Sequence, residues 1–178
     1  MKKIWIIIFA IIALAIFLIF DHSLLNLVNT IKFPALSSIF SALLFIEIEP
    51  YFEIWLIAAM FFIMKKNKKK ITWLIIAMVI ASIITLILKN IIARPRPSNL
   101  FNEKSNSFPS GHATLLFATL PFIETMNNKT LKTVWIIFTA ILAFTRIYSN
   151  MHYFSDILTG FVIGYGTSFF IKKWKITK

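Results

Sequence analysis

The sequence predicts an all-α integral membrane protein with six transmembrane helices, both termini cytoplasmic and an interfacial helix in the first outer loop. Three observations carry this expectation. First, the 178 residues are 58% hydrophobic and 16% aromatic, with a mean hydropathy of +0.80, which is more apolar surface than one soluble core of this size hides. Second, the apolar residues gather into runs close to the roughly 17 to 25 residues that cross hydrocarbon. Third, the 19 Lys and Arg, against 7 Asp and Glu, sit between those runs rather than on a polar surface, so the charge of +12 points to anionic lipid and not to nucleic acid. Cysteine is absent, which excludes disulfides, zinc thiolate sites and thiol nucleophiles.

Taken in order, the first span covers about residues 4 to 20 and contains no polar side chain. It is longer than a signal-peptide core and no small-x-small cleavage site precedes Asp21, so it reads as a retained anchor. His22, beside Asp21, reads as interfacial. Residues 21 to 50 are too many for a structureless loop. Leu24, Leu27, Val28, Ile31 and Ala35 recur there at helical spacing opposite Asn26, Asn29, Thr30 and Lys32, as expected of a helix lying in the outer interface, where it caps the bundle or, alternatively, forms one wall of a lipid entrance. The second span, about 48 to 64, begins within an acidic group of Glu47, Glu49 and Glu53. Carboxylates suit hard cations, but no ligand spacing is present, so solvation or pairing with nearby basic groups is the expectation.

The third span, about 71 to 88, is uncharged, and the fourth, about 112 to 128, contains Pro121, expected to kink it, and Glu124. The fifth covers about 132 to 149. The sixth, about 156 to 171, carries Gly160, Gly164 and Gly166, a small-residue face suited to close helix packing. No internal repeat divides the chain, and residues 1 to 178 read as one domain.

Short cytoplasmic loops concentrate Lys and Arg. With both termini inside, 13 of the 19 basic residues fall on the cytoplasmic side, among them Lys65, Lys66, Lys68, Lys129 and Lys172. Lys32, Lys89, Arg94, Arg96, Lys104 and Arg146 fall on the other. Three polar segments then emerge together on the outer face: Lys89 to Pro97, Ser107 to His112, and Thr145 to Asp156.

Each residue type in those segments meets a need of phosphoryl transfer, where charge spreads over three equatorial oxygens and the protein supplies positioning and electrostatic stabilisation. Lys89, Arg96 and Arg146 offer a positive cradle, with the guanidinium planes suited to bidentate contact. Ser110 and Gly111 precede the fourth helix, where N–H groups can meet an anion. His152 and Asp156 are four apart, a spacing that lets the carboxylate orient the imidazole. Lys32, Arg94 and Lys104 read as basic side chains reaching toward head groups.

These segments resemble the three signature motifs of the type 2 phosphatidic acid phosphatase family, relatives of the vanadium-dependent haloperoxidases. Lys89, Arg96 and Pro97 meet the first motif, Pro109 to His112 the second, and Arg146, His152 and Asp156 the third. Thr145 stands in a Ser position, and Met151 and Phe154 stand where many relatives have Gly and Pro. The resemblance implies a six-helix core in which His152 becomes a phosphohistidine, Asp156 orients it and His112 protonates the leaving oxygen. It implies phosphate held by Lys89, Arg96, Arg146, Ser110 and Gly111. No metal is expected, because the one carboxylate among these residues, Asp156, is already assigned to His152, and no cofactor is expected.

The expected substrate is a lipid phosphate or diphosphate met in the membrane, with the active site facing away from the cytoplasm. A polyprenyl diphosphate suits the outer-facing site and the small size; phosphatidylglycerol phosphate, phosphatidic acid and a lipid A phosphate are the alternatives. The non-enzyme alternative is a lipid-binding or transport protein, disfavoured because the charged groups cluster at helix ends while midplane positions are apolar. The motifs read phosphate, so they leave the lipid tail and the oligomeric state open.

Overall fold

The computed structural model describes residues 2–48, 50–64, 67–98 and 105–175, with side chains from residue 12 onward. Glu49, Lys65, Lys66 and Lys104 lie outside the described residues. Every regular element among those described is helical: α1 (Lys2–Thr30), α2 (Pro34–Ile46), α3 (Tyr51–Ile63), α4 (Lys68–Ile92), α5 (Gly111–Ala118), α6 (Leu120–Ile123), α7 (Lys129–Tyr148) and α8 (Phe154–Lys175). Four stretches are long and apolar enough to cross a membrane: Ile12–Thr30, α4, α7 and α8.

The helix starts follow from local chemistry. Asn67 accepts the Lys70 N–H at 3.0 Å to cap α4, and Asn128 accepts the Leu131 N–H at 2.9 Å to cap α7. Pro34 opens α2, where its missing N–H costs nothing. The fourth predicted span is interrupted: α5 ends at Ala118, and α6 begins at Leu120 with Pro121 in its first turn. Pro121 has no N–H to give the preceding turn, so α5 cannot continue into α6 as one regular helix.

The expected separate interfacial helix over residues 21 to 50 is not what forms. The first helix runs on through Asp21 to Thr30, and α2 is a second helix after a break at Phe33. The inward stripe of that extension is Asp21, Leu25 and Val28, while Leu27 and Ile31 are exposed. An apolar run ends at the first charge, but a backbone helix does not have to, provided that charge finds a partner.

The main core joins Phe52, Leu56 and Met60 of α3, Leu74 and Met78 of α4, Leu116 of α5, Phe122 of α6 and Leu142 of α7. A second cluster ties Leu25 and Val28 of α1 to Ile147, Tyr148 and Tyr153. Helix α5 lies tightly against α8. A Cβ at Gly164 would fall 2.0 Å from the Thr114 carbonyl oxygen, and one at Gly160 would fall 2.8 Å from that of Ser110. The glycine face predicted from sequence therefore packs at two of its three positions; a Cβ at Gly166 would meet nothing within 4 Å.

Outward, α4 presents Val79, Ile83, Leu86 and Ile91, α7 presents Val134 and Ile137, and α8 presents Val162 and Phe170, all more than half exposed. Such continuous apolar faces are stable only in lipid, and the chain is an integral membrane protein.

Candidate active site

Four helix termini converge at one end of the bundle: the ends of α4 and α7 and the starts of α5 and α8. Local backbone makes this possible. Ala93 takes φ 49°, a left-handed residue that ends α4 and turns the following Arg-Pro-Arg-Pro segment back over the bundle. The returning segment is fastened by Ser107, whose N–H donates to the Arg94 carbonyl at 2.8 Å and whose hydroxyl donates to that of Pro95 at 3.0 Å. Asn150, at φ 55°, turns the chain from α7 toward α8, and the N–H groups of Met151 and His152 both donate to the Arg146 carbonyl, at 3.0 and 3.1 Å.

His152 is buried at the centre. Its Nδ1 lies 3.4 Å from Asp156 Oδ2, and its Nε2 lies 3.2 Å from a terminal guanidinium nitrogen of Arg96. Arg96 can only donate and the ionised carboxylate can only accept, so the ring carries its proton on Nδ1 and keeps the Nε2 lone pair. Burial pushes the His152 pKa down to about 4; Asp156 works against that fall, while Arg96 and Lys89 add to it. The imidazole is neutral at physiological pH, which a nitrogen nucleophile requires.

Asp156 is held from several sides. Oδ2 also accepts the Tyr153 N–H at 2.8 Å, and Oδ1 accepts from Arg94 at 3.0 Å. The Asp156 carbonyl accepts the Ser110 N–H at 3.1 Å, tying the start of α5 to the start of α8.

The other predicted residues lie around this pair. Arg96 spans the site, donating also to the Met151 carbonyl at 3.1 Å and to the carbonyl and hydroxyl of Ser105 at 2.9 and 2.8 Å. Lys89 Nζ donates to the Asn106 carbonyl at 2.5 Å, and the Asn106 amide donates back to the Lys89 carbonyl at 2.9 Å, so α4 and the returning segment are clasped together. Ser110 caps α5, its hydroxyl oxygen accepting the Ala113 N–H at 3.4 Å. Its own N–H is spent on Asp156, so in this state the amides that follow, Gly111 first, are the ones aimed past the helix start. A Cβ at Gly111 would meet nothing within 4 Å, so the space over that turn is open to a ligand.

His112 and Arg146 share one partner that sequence reasoning placed only in an acidic cluster. His112 Nε2 donates to the Glu47 carbonyl at 2.9 Å, and Arg146 donates to the same oxygen at 3.2 Å. Arg146 Nε also pairs with the Glu47 carboxylate at 2.6 Å, with both side chains buried. The pairing expectation for Glu47 thus holds in a specific form: its carboxylate sits on the guanidinium predicted to hold phosphate. Burial raises the Glu47 pKa to about 7, with Arg146 pulling the other way. Glu53 is half-buried on α3.

Arg94 corrects a sequence expectation. As a basic residue at a helix end it reads from sequence as reaching toward head groups, but it bridges Asp156 and Asp21 at 3.0 and 2.9 Å. Its guanidinium lies 3.9 Å over the Tyr153 ring. Asp21 is fully buried. A usable signal was present in the sequence: Asp21, Leu25 and Val28 follow i, i+4, i+7 spacing, so the carboxylate shares the inward stripe of α1. Of the departures, the Thr145 hydroxyl donates to the Ile141 carbonyl of its own helix at 3.0 Å, and Met151 Sδ accepts from Arg146 at 3.3 Å. Lys32 lies 5.1 Å from the centre of the Tyr148 ring, and His22 meets Tyr153 edge-on at 5.1 Å. A cavity of about 320 Å³ near Met64, Lys70, Thr125 and Asn128 lies at the opposite end of the bundle, away from this chemistry.

Fold and site together define a helical membrane protein with histidine, carboxylate and guanidinium groups gathered at one end of its bundle. The chain belongs to the PAP2 superfamily, whose sequence model matches residues 70–178. It is 27% identical over 114 residues to the bacitracin transport permease protein BcrC of Bacillus licheniformis, covering 60% of this chain and 56% of that protein. It is 26% identical over 125 residues to an undecaprenyl-diphosphatase of Sulfolobus acidocaldarius, covering 65% and 61%. With phosphatidylglycerophosphatase B of Bacillus subtilis the identity is 34% over 102 residues, 48% of each. The chain thus spans about half the length of the curated relatives it matches. Among solved structures it is similar in fold to Aquifex aeolicus LpxE, with a TM-score of 0.71 and 24% identity over 86% of this chain and 94% of that one. It is also similar in fold to the first transmembrane PAP2 type phosphatidylglycerolphosphate phosphatase from Bacillus subtilis, with a TM-score of 0.72 and 22% identity over 97% and 95%.

Proposed function

We propose that the chain is a single-domain, six-span membrane phosphatase that hydrolyses a lipid phosphate or diphosphate on the extracytoplasmic face, with His152 as nucleophile. One observation carries the reading: His152 has its proton directed to Asp156 and its Nε2 lone pair on the side of the Arg96 guanidinium. In the first step Nε2 bonds to phosphorus as the bond from phosphorus to the lipid oxygen breaks, and protonated His112 gives a proton to that oxygen and is left neutral. In the second, water attacks phosphorus, the P–N bond breaks with its electron pair returning to His152, and His112 takes the water's proton. Arg96, Arg146, Lys89 and the amides opening α5 neutralise the equatorial oxygens. The reading needs no metal and no cofactor, because Asp156 already serves His152, Tyr153 and Arg94 with both oxygens.

The substrate we favour is a polyprenyl diphosphate. Two things support it: the similarity to an undecaprenyl-diphosphatase, and the match between a site at helix ends and a head group that never leaves the interface. Phosphatidylglycerol phosphate is the alternative that the similarity to phosphatidylglycerophosphatase B supports.

The test uses matched ³²P-labelled lipid mono- and diphosphates with rapid quench, in EDTA throughout. Wild type is expected to release phosphate and to carry acid-labile, base-stable label. His152→Ala is expected to lose the label with every substrate. His112→Ala is expected to lose about 10²- to 10⁴-fold on the monophosphate, whose alkoxide leaving group needs an acid, and less on the diphosphate. Label that survives in His152→Ala would remove the nucleophile, and equal losses on both substrates would remove the acid.

A further inference from the structure

The family match begins at residue 70, yet the site draws on a carboxylate from far outside it. Asp21, on α1, is fully buried. Its Oδ1 accepts the Ser155 N–H at 3.0 Å, its Oδ2 accepts the Ser155 hydroxyl, and the same Oδ2 lies 2.9 Å from Arg94. Arg94 uses its other terminal nitrogen on Asp156 Oδ1 at 3.0 Å and on the Ser155 hydroxyl at 2.7 Å. The Tyr153 ring against its face keeps the fork from rotating. Whatever Asp21 does for His152, it does through Arg94 and Asp156.

We propose that Asp21 and Arg94 are positioning residues for phosphoryl transfer. Arg94, gripped between two carboxylates, fixes the Asp156 plane that orients His152, and Asp21 supplies the negative charge that Arg94 would otherwise cancel. The proposal rests on the reading of His152 as nucleophile. A carboxylate paired one-to-one with a buried guanidinium forms a neutral unit and draws weakly on a neighbouring imidazole. Two carboxylates sharing one guanidinium carry a net charge of −1, and that charge faces a ring that becomes positive as Nε2 bonds to phosphorus. The planar fork of Arg can meet both partners at once, which a Lys ammonium cannot do with fixed geometry. The arrangement also makes α1, rather than the signature segments alone, part of the working unit.

Substitutions at Asp21 and Arg94 shift the charge facing His152 in opposite directions. The titratable and charged groups facing His152 are Asp156 from α8, Arg96 and Lys89 from α4 and the segment after it, and His112 from α5, with Asp21 of α1 acting through Arg94. Asp21→Asn keeps the shape but leaves Arg94 uncompensated, so the imidazolium is less favoured and the acid limb of kcat/KM moves to lower pH. Arg94→Gln leaves two carboxylates near the ring, so that limb moves to higher pH. A purely structural anchor would move neither limb.

The test measures phosphoenzyme formation, KM and the acid limb on the full chain in detergent, per folded molecule as judged by thermal unfolding. Asp21→Asn is expected to slow phosphoenzyme formation about 10- to 100-fold, a loss of the size that outer-shell partners typically cause, with KM little changed. In an Asp156→Ala background the same substitution should cost nothing further, since its route to His152 is gone. Unchanged rates in Asp21→Asn, or an equal additional loss in the Asp156→Ala background, would overturn the proposal. Should Asp21→Asn fail to fold, Arg94→Gln decides alone: an upward shift supports the proposal and an unmoved limb overturns it. Lack of label on wild-type His152 would sink the nucleophile reading itself, whereas a labelled wild type with unaffected variants would sink only the positioning role.

Discussion

At the scale of single residues, Glu47 most changes the picture of the site. Its carboxylate occupies the guanidinium of Arg146 at 2.6 Å, so an incoming anion must displace it. The Glu47 pKa is raised to about 7 by burial, so the side chain is neutral below that pH and charged above it. Anion binding should therefore weaken as pH rises through 7, because the internal carboxylate then competes for Arg146. Sulfate keeps a fixed charge over this range and is the clean probe. Its inhibition constant is expected to climb above pH 7 by at most about tenfold per pH unit, the limit for one titrating group. In Glu47→Gln the slope should vanish and sulfate should bind more tightly at pH 8; a slope kept in that variant would remove Glu47 as the competitor. The contact spans 99 positions and joins the residue after α2 to the end of α7, which is why no local spacing revealed it. The motif residues were legible because their spacings are fixed by chemistry at helix ends. Arg94 was not, because a lone Arg at a helix end is ordinarily solvated and only its buried partner gives it another role.

At the scale of elements, the glycines of α8 set how closely α5 approaches, and thereby where Ser110 and His112 stand. Gly164→Ala would put a methyl 2.0 Å from the Thr114 carbonyl oxygen. Backbone cannot rotate away as a side chain can, so the helices must separate, at a cost of about 1–3 kcal/mol by the measure of overpacked cores. Gly160→Ala presses on the Ser110 carbonyl at 2.8 Å, and Ser110 both caps α5 and holds the Asp156 carbonyl. That variant should lose phosphate affinity as well as stability. Gly166→Ala meets nothing within 4 Å and serves as the control. Thermal unfolding in detergent checks the order, and a Gly164→Ala protein as stable as Gly166→Ala would contradict the packing. The existence of the longer helices was legible from apolar runs closed by charges, with α4 and α8 extending a turn or so beyond them. The break after Ala118 was legible in kind from Pro121. The course of α1 was not, since its apolar run stops at Asp21 while the helix continues for nine more residues to Thr30.

At the scale of the whole molecule, the two ends of the bundle differ in charge chemistry, and that difference predicts orientation. The site end holds His152, His112 and their cations. The other end is tied together by basic residues: Lys70 Nζ donates to the Thr125 hydroxyl at 2.8 Å, Lys172 lies 3.3 Å from Glu124, and Lys175 lies 5.2 Å from the centre of the Trp73 ring. Helix α1 begins at this end too, since Lys2 is 19 residues before Asp21, about 28 Å at 1.5 Å per residue. Among the described residues Lys68, Lys69, Lys70, Lys129, Lys132, Lys172, Lys173 and Lys175 belong to helix ends on this side, and short loops rich in Lys and Arg stay in the cytoplasm. By that rule the site end is expected to face outward, as the proposed function requires. The chain has no cysteine, so single substitutions report without background. Asn29, exposed near the end of α1, lies on the site side without belonging to it, and Lys68, exposed at the start of α4, lies on the basic side. In intact cells an impermeant thiol reagent is expected to label Asn29→Cys and to reach Lys68→Cys only after permeabilisation; the reverse pattern would turn the molecule over and place its chemistry on the cytoplasmic face.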